Sequence, residues 1–440
     1  MKLRKQMTRV KLHKKISCVF MVCLLVQTFL FAGQPYLGIN DAVYAQEEFA
    51  GGNGTEGNPY KIENYLHLNN VRNYLDAYFI QTKDIDLTAA TQEGGVFYNE
   101  RRGWDPIGNY QIPFIGEYDG GGFAVLGLYL NKSSSGHVGL FGDNRGVIKN
   151  LGMVAAWVYT HSSYGCGGIT GYNYGTIVNC YNTMGWVSSS TRAGGIAGYN
   201  STYGTITNCY NTDSASSYYA GGIAGGNDGT IENCYNTGSV SGYYAGGIVG
   251  DNNYTTIANC YNTGSVSSYS SYVGGIAGDS TYDCIIENCY TLGGESYNEI
   301  GNKLTAEEMK TQANFVGFDF DLVWEIDNTI NRSYPILKNI TYDRTLNCTI
   351  VDYNNEDNTS FNVVLTNNTA YYVTTDVFVA LYDDNGLLEV IKYNINNLEP
   401  GYDNTKPIIT STTQKPKTMK VLFFENGTIK PVRDDFEKVL

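Results

Sequence analysis

Acidic and basic side chains that could work as an acid–base group lie close together in one stretch of the chain. Arg101, Arg102 and Asp105 are followed by Glu117 and Asp119. Polysaccharide lyases and glycoside hydrolases need clustered carboxylates with a basic partner in a groove. The other interpretation is that these residues fix turns. Carboxylates of the later segments are expected in turns where they do not converge: Asp213, Asp228, Asp251 and Asp279.

Five cysteines recur at one position of a repeated segment, 29, 25, 26 and 29 residues apart: Cys180, Cys209, Cys234, Cys260 and Cys289. An odd column cannot pair fully, and neighbouring turns of a stack offer poor disulfide geometry. The four histidines are scattered, and no second cysteine lies at ligand spacing, so we expect no metal and no cofactor. We predict free, buried thiols, with disulfides of an exported protein as the alternative.

A tyrosine directly follows each of these cysteines: Tyr181, Tyr210, Tyr235, Tyr261 and Tyr290. If the cysteine points inward, period-2 alternation turns the tyrosine outward and creates a ladder of rings along one face. Such a ladder could stack sugar rings or dock a protein, or the rings could stack only on one another. More tyrosines precede the repeated Gly-Gly pairs and favour a binding edge there: Tyr218, Tyr219, Tyr243, Tyr244, Tyr269 and Tyr272.

The elements that must position these side chains are copies of one short repeat. Gly-Gly-Ile-x-Gly segments begin at residues 167, 194, 221, 246 and 274, and Thr-Ile-x-Asn-Cys-Tyr-Asn-Thr segments lie between them. Copies this short can bury an apolar face only by stacking. We predict an all-β fold whose centre is a parallel β-helix, or solenoid, of six coils, roughly 29 Å long. The glycines of its core are Gly139, Gly142, Gly168, Gly171, Gly195, Gly198, Gly222, Gly225, Gly247, Gly250, Gly275 and Gly278.

These repeats resemble a known family. Gly139-Leu140-Phe141-Gly142 and the later Gly-Ile-x-Gly copies are similar to the GLUG motif of bacterial secreted and surface proteins. Trp104-Asp105-Pro106-Ile107-Gly108 looks like the region that often precedes such arrays, and Tyr334-Pro335-Ile336-Leu337 looks like the segment that closes them. The resemblance implies a bacterial surface solenoid and no particular activity, because the motif occurs in surface proteins of unlike function.

Composition and the N-terminus indicate export. Of 440 residues only 16% are charged, while Gly numbers 51 and Tyr 38. The net charge of −14 argues against nucleic acid as a partner. A basic head, an apolar run over 16–31 and Val43-Tyr44-Ala45 predict a signal peptide over residues 1–45, with an uncleaved membrane anchor as the alternative. Those residues hold seven of the 29 basic and one of the 43 acidic residues, so the remaining chain carries −20.

Four further segments follow this leader. An N-terminal cap with the first coils covers 46–135, the repeats cover 136–295, a C-terminal cap covers 296–341, and a β-sandwich covers 342–440. We expect short helices to cap the solenoid, one over 63–75 and one begun by a capping box of Thr305 and Glu308. About seven alternating strands after Tyr342 predict an immunoglobulin- or fibronectin-like sandwich. This part is similar to an accessory sandwich module of secreted proteins from Gram-positive anaerobes.

We therefore expect an exported, non-catalytic binding or adhesion protein, secreted or held non-covalently at the cell surface. Its partner would be a host or bacterial surface glycan or protein, and the chain would act as a monomer without a transmembrane span after signal removal. The first alternative is a carbohydrate-active β-helix enzyme, either a polysaccharide lyase or a glycoside hydrolase. The second is a structural stalk without a ligand.

Overall fold

The computed structural model describes residues 48–340, with gaps at 133–135, 162–163, 282, 293–299, 327–330 and 339, and the backbone of seven strands between 346 and 439. The predicted signal peptide over 1–45 lies outside the described residues. Within them, the all-β parallel solenoid is confirmed: the chain coils through four stacks of strands, here sheets 1 to 4, and neighbouring strands of each stack are parallel.

The four sheets carry the following strands. Sheet 1 contains Tyr60–Ile62, Tyr78–Gln81, Glu117–Asp119, Val147–Lys149, Thr176–Val178, Thr205–Thr207, Thr230–Glu232, Thr256–Ala258 and Ile285–Glu287. Sheet 2 contains Ile85–Asp86, Ala124–Leu126, Gly152–Val154, Tyr181–Thr183, Tyr210–Asn211, Tyr235–Asn236, Tyr261–Asn262, Tyr290–Leu292 and Asn302–Leu304. Sheet 3 contains Tyr129–Lys132, His137–Val138, Trp157–Thr160, Gly165–Gly167, Trp186–Ser189, Arg192–Gly194, Ser214–Gly221, Val240–Gly246, Val266–Ser268 and Val273–Gly274. Sheet 4 contains Phe141–Asn144, Thr170–Asn173, Ala197–Asn200, Ala224–Asn227, Val249–Asn252 and Ala277–Ser280.

Asparagine makes the corner between sheets 1 and 2. The Asn before each column cysteine has a positive φ of 50° to 54°, a conformation that Asn tolerates better than most residues. A second asparagine column lies on sheet 4 and is fully buried. There the Nδ2 atom of Asn173 donates to Oδ1 of Asn200, and that of Asn200 donates to Oδ1 of Asn227, both over 2.8 Å. The ladder on sheet 4 thus pairs buried amides from coil to coil.

The repeated positions require glycine because atoms of neighbouring coils lie very close to its backbone. A Cβ built on Gly195 would lie 2.1 Å from Cγ of Asn211, and one built on Gly222 would lie 2.3 Å from Cγ of Asn236. The last glycine of each motif meets backbone instead, since a Cβ on Gly198 would lie 2.1 Å from the backbone nitrogen of Cys166. Close approach of side chain and backbone, rather than a positive φ, therefore requires glycine in the repeat.

Short helices flank the coils. The expected N-terminal helix is present as an α-helix over Tyr65–Asn70 continued by a 3-10 turn over Val71–Asn73, with Asn64 as its N-cap. The other helical pieces are Thr88–Thr91, Asn99–Arg101, Glu308–Lys310, Gln312–Asn314 and Asn331–Ser333. The capping box is confirmed: the Glu308 carboxylate accepts from the Thr305 N–H over 2.8 Å, and Thr305 Oγ1 accepts from the Glu308 N–H over 3.3 Å. None of the helices in the described part of the chain could span a membrane.

Seven antiparallel strands lie in the C-terminal part. One sheet pairs Leu346–Val351, Ser360–Asn367 and Asp403–Ile409, and the other pairs Gly386–Leu398, Val373–Asp383, Thr418–Glu425 and Phe436–Val439. The expected strand over 428–432 lies outside the described residues. The packing of these strands as a β-sandwich stays a prediction.

Candidate functional site

The tyrosine ladder that the sequence predicts on the surface is buried. Neighbouring rings stack 4.9 to 5.1 Å apart between centroids, nearly parallel, along Tyr181, Tyr210, Tyr235 and Tyr261. The direction was predicted correctly, because the cysteines belong to the solenoid core while the tyrosines belong to a separate cluster outside it. The expectation of exposed rings is wrong: Tyr210, Tyr235 and Tyr261 are 0% exposed, Tyr290 is 4% exposed and Tyr181 is 7% exposed.

A later segment of the chain covers this ladder. The rings of Phe318 and Trp324 stack on each other, and Trp324 lies 6.1 Å from the ring of Tyr235 and 5.9 Å from that of Tyr261. The Tyr261 hydroxyl donates to the carbonyl of Pro335 over 2.5 Å. The predicted C-terminal cap therefore runs along the flank of sheet 2 as well as continuing it at its end through Asn302–Leu304. A covered ring offers no face to a ligand, so this ladder is not an open binding surface.

The column cysteines are free and buried, as predicted. Burial raises the pKa of the Cys180, Cys209 and Cys260 thiols. Each of these sulfurs lies within 3.1 to 3.3 Å of the carbonyl two residues earlier, which gives the S–H a weak acceptor. No group of three or more His, Cys, Asp or Glu side chains in the described residues is placed to hold a metal ion.

The candidate acid–base group is divided among separate partners. Glu117 and Asp119 lie on sheet 1 and bind the ammonium of Lys149, over 2.7 and 3.5 Å. Asp105 binds Lys132 of sheet 3 instead. Arg101 donates to the Tyr98 hydroxyl, and Arg102 binds Glu100, as in the alternative in which these residues fix turns. The expectation for the later carboxylates fails in one place, because Asp251 and Asp279 lie in strands of sheet 4 as direct register partners.

A groove of about 940 Å³ lies where sheets 3 and 4 meet over the first three coils. Its far wall is the loop with Asp105 and Tyr110, and Arg72 of the N-terminal helical segment contributes as well. Tyr110 is 67% exposed and Tyr164 is 63% exposed, so both present free ring surface at the rim. This groove, and not the predicted ladder, brings aromatic rings and charged groups together on the open surface.

Four flat groups stack along the inner side of the groove. The ring of His137 lies 4.5 Å from that of Tyr172, and the ring of Tyr172 lies 4.8 Å from that of Tyr199. The Arg192 guanidinium covers Tyr199 at 5.0 Å. Register explains the column, because Tyr172 and Tyr199 are direct partners on sheet 4. The rings are tilted to one another by 34° and 37°, and the groove lining combines them with the guanidinium.

Electrostatics hold this column in place. His137 Nδ1 lies 2.7 Å from the Asp143 carboxylate, and the Tyr199 hydroxyl donates to Asp228. Burial is the main cause that raises the pKa of the Tyr172 and Tyr199 hydroxyls, and the hydrogen bond to Asp228 raises that of Tyr199 further. Both hydroxyls therefore stay neutral at physiological pH and can serve as donors or acceptors.

A second aromatic surface begins where the groove ends. We call Tyr218, Tyr219, Tyr243, Tyr244 and Tyr272 the outer ladder. The ring centroids of Tyr218 and Tyr243 are 4.9 Å apart, and those of Tyr219 and Tyr244 are 4.7 Å apart. Arg192 joins the two surfaces, since its guanidinium also lies 5.1 Å from the ring of Tyr219. The expected aromatic edge is therefore present, and Tyr218 is 41% exposed in it.

The groove residues were missed by the sequence analysis, although a signal for them exists. Tyr172 and Tyr199 each follow the last glycine of a Gly-Gly-Ile-x-Gly copy, and the next copies carry Gly226, Asp251 and Asp279 at that position. A position that varies within an otherwise regular repeat indicates a surface that the fold itself does not fix.

Comparisons with known proteins agree with the repeat. The sequence profile described as the GLUG motif matches residues 189–216, 216–241 and 241–267. A protein described as a Gly-rich membrane protein, from Evansella cellulosilytica, is 41% identical over 114 residues, which is 25% of this chain and 12% of the relative. Halomucin from Haloquadratum walsbyi is 33% identical over 108 residues, 23% of this chain and 1% of that protein. This chain thus corresponds to only a small part of either relative.

One solved structure is distantly similar to this chain. It is the enzymatically active domain of tailspike protein 4 of bacteriophage CBA120, with 11% sequence identity, 80% of this chain and 62% of that chain covered, and a TM-score of 0.16. An overlap this poor carries no argument about fold or activity. What the profile and the coil geometry establish together is that residues 189–267 are three GLUG-motif repeats, carried in a parallel β-solenoid.

Proposed function

We propose that the protein is an exported, non-catalytic binding protein that holds a surface glycan in the groove between sheets 3 and 4. One observation carries this proposal: the groove combines two exposed rings, Tyr110 and Tyr164, with the stacked column that ends at Arg192. Aromatic faces pack on the apolar faces of sugar rings, while hydroxyls and guanidinium groups bind sugar oxygens.

The rigidity of the solenoid supports a binding role. Tyr172, Arg192 and Tyr199 lie on strands that are each hydrogen-bonded to a strand on either side. A site on such strands is formed before the ligand arrives, so little ordering entropy is lost on binding. Glu117 and Asp119 bind Lys149, whereas Asp105 binds Lys132. Because these carboxylates have different partners, the arrangement favours binding over hydrolysis.

The outer ladder suits a ligand that is a chain rather than a single sugar. A polymer that leaves the groove past Arg192 meets Tyr219 and then Tyr244, one coil further along. Consecutive rings are separated by about one coil, a distance close to the length of one sugar unit in a chain. A repeating ligand can therefore meet the same kind of contact several times, which raises its affinity by multivalency.

The proposal is tested by a glycan and mucin array with the full chain, followed by turnover assays on every polymer that binds. We expect retention without turnover, and a loss of about tenfold in affinity when Tyr110 and Tyr164 are both replaced by Ala. The matched control replaces Tyr203 and Tyr254, which are 83% and 75% exposed and lie outside the groove. Turnover that is lost in Asp105→Asn would establish the enzyme instead, and an array without any binding would leave the structural stalk.

A further inference from the structure

We infer that the glycan in this groove is anionic and that Arg192 is the residue that selects its carboxylate or sulfate groups. This inference rests on the proposed function and goes beyond it by naming the charge of the ligand. It is carried by the charges of the groove lining and by the contacts of Arg192.

The groove is locally basic in an acidic protein. Its lining contains Arg72, Lys132 and Arg192 against one carboxylate, Asp105, whereas the whole chain carries a net charge of −14. Asp105 neutralises Lys132 directly. The Arg72 guanidinium donates to backbone carbonyls, those of Asn69 and Asp105, and so keeps its charge without a carboxylate in those two contacts. A concave basic site in a field of opposite sign concentrates anions.

The position of Arg192 suits ligand binding better than a role in stabilising the fold. Its guanidinium lies between the rings of Tyr199 and Tyr219, at 5.0 and 5.1 Å, which orients its plane without using its donors. Its Nε atom is buried and has no hydrogen-bond partner among the described residues. A guanidinium held flat in this way retains terminal donors for the bidentate binding of a carboxylate or sulfate.

Carboxylates mark where the anionic part of the site ends. Beyond Gly226, sheet 4 carries Asp251 and then Asp279 in the same register column. These two side chains flank the later coils, next to the outer ladder, and Asp251 interacts with Arg192 from that side. The basic residues of the groove lining thus lie over the first three coils, and the carboxylates of the same sheet follow them.

The test compares polymers that share a backbone and differ in charge. We would measure binding of the full chain to polygalacturonate and to its fully methyl-esterified form, with alginate and hyaluronate as further acidic probes. We expect at least tenfold tighter binding to an acidic polymer than to the ester, weakening as salt rises. Arg192→Gln should remove most of this preference, and Lys303→Gln, which removes a charge from an exposed position outside the groove, should retain it.

The outcomes separate the two proposals. Equal, salt-independent binding of the acid and the ester, or binding only to neutral glycans on the array, would overturn the anionic ligand and leave the glycan-binding function intact. An unchanged preference in a folded Arg192→Gln protein would remove Arg192 as the selecting residue. If none of the polymers or array glycans binds, the proposed function itself fails. Circular dichroism and the thermal midpoint of each variant show whether the solenoid remains folded.

Discussion

Gly226 is the register partner of Tyr199, and a Cβ built on Gly226 would lie 2.8 Å from Cδ2 of the Tyr199 ring. The same Cβ would lie 3.0 Å from Nε of Arg192. The missing side chain at this position leaves the space in which the guanidinium covers the tyrosine. The tyrosine column therefore ends at Tyr199 and is continued by a cation rather than by a third ring.

Replacing Gly226 by Ala should disturb the site more than the fold. The contacts of the new methyl group are with side chains that can shift, so we expect the free energy of unfolding to fall by no more than about 1 kcal/mol. Affinity for the bound glycan should fall several-fold, because Tyr199 and Arg192 must separate. Titration calorimetry and urea unfolding measure the two effects. A variant that loses stability but keeps full affinity would contradict this role of Gly226.

The outer ladder should matter only for long ligands. Replacing Tyr218 and Tyr243 by Ala removes a stacked pair whose rings lie 4.9 Å apart, beyond the groove. We expect affinity for a polymer to fall by about tenfold and affinity for a trisaccharide that fills only the groove to stay the same. Competition between labelled polymer and oligosaccharides of increasing length gives both numbers. Equal losses for short and long ligands would show that the ladder acts by supporting the groove.

The buried hydroxyl of Tyr261 holds the segment that covers the tyrosine ladder in place. Tyr261 donates to the Pro335 carbonyl over 2.5 Å and accepts from Nδ2 of Asn331 over 2.8 Å. Tyr261→Phe removes both of these hydrogen bonds, while Asn331 Nδ2 still donates to the Pro335 carbonyl over 3.2 Å, so the loss should be about 0.5 to 1.5 kcal/mol of stability. Urea unfolding followed by tryptophan fluorescence reports it, because Trp324 lies 5.9 Å from the Tyr261 ring. As the control, Tyr254→Phe changes an exposed tyrosine and should leave the midpoint unchanged.

The contrast between Cys234 and Tyr235 shows how far the sequence could predict this molecule. Period, coil number, buried cysteines and the outward direction of the tyrosines all follow from one repeat, because each copy meets only its neighbours. The cover over Tyr235 comes from Trp324, about ninety residues later in the chain. Local alternation describes which side of a coil a residue faces, and it contains nothing about what a distant segment places on that side.

The groove could not be predicted from the sequence, for a related reason. Its parts come from the N-terminal helical segment, a loop near residue 110 and three separate coils, and Arg72 and Arg192 meet only after the chain has coiled. The repeat pattern draws attention to positions that recur, whereas the groove uses positions at which the repeat changes. The outer tyrosines were predicted as an edge because they recur before the Gly-Gly pairs that begin at residues 221, 246 and 274.

Thiol accessibility distinguishes the five column cysteines from Cys284, which is half-buried. Burial works against ionisation of Cys284, but hydrogen bonds involving Ser280 and Thr281 outweigh it and lower the pKa of that thiol. We expect a maleimide reagent to modify Cys284 first among the described cysteines, and the five column cysteines only after denaturation. Mass spectrometry of peptides over a time course assigns each site. Rapid modification of Cys209 or Cys234 in the native protein would show that the column is open to solvent.

Asp213 should make the stability of the solenoid depend on pH. Its side chain is 2% exposed and accepts the Gly185 N–H over 2.5 Å. Burial raises the pKa of this carboxyl from 3.8 to about 7, although that N–H and Asn182 favour the charged form. Between these two values the folded state binds more protons than the unfolded state. The contribution of Asp213 is therefore most favourable at low pH, falls as pH rises through this window and levels off above about 7.

Replacing Asp213 by Asn removes this titration and retains an oxygen that can accept the Gly185 N–H. Between pH 5 and pH 8, the native protein should lose about 2 to 3 kcal/mol more stability than Asp213→Asn does. Urea unfolding at both pH values gives this difference directly. The control is Asp319→Asn, which removes an exposed carboxylate and so reports any general effect of charge. If the two proteins change equally with pH, Asp213 is ionised in the folded solenoid and a partner other than Gly185 must stabilise its charge.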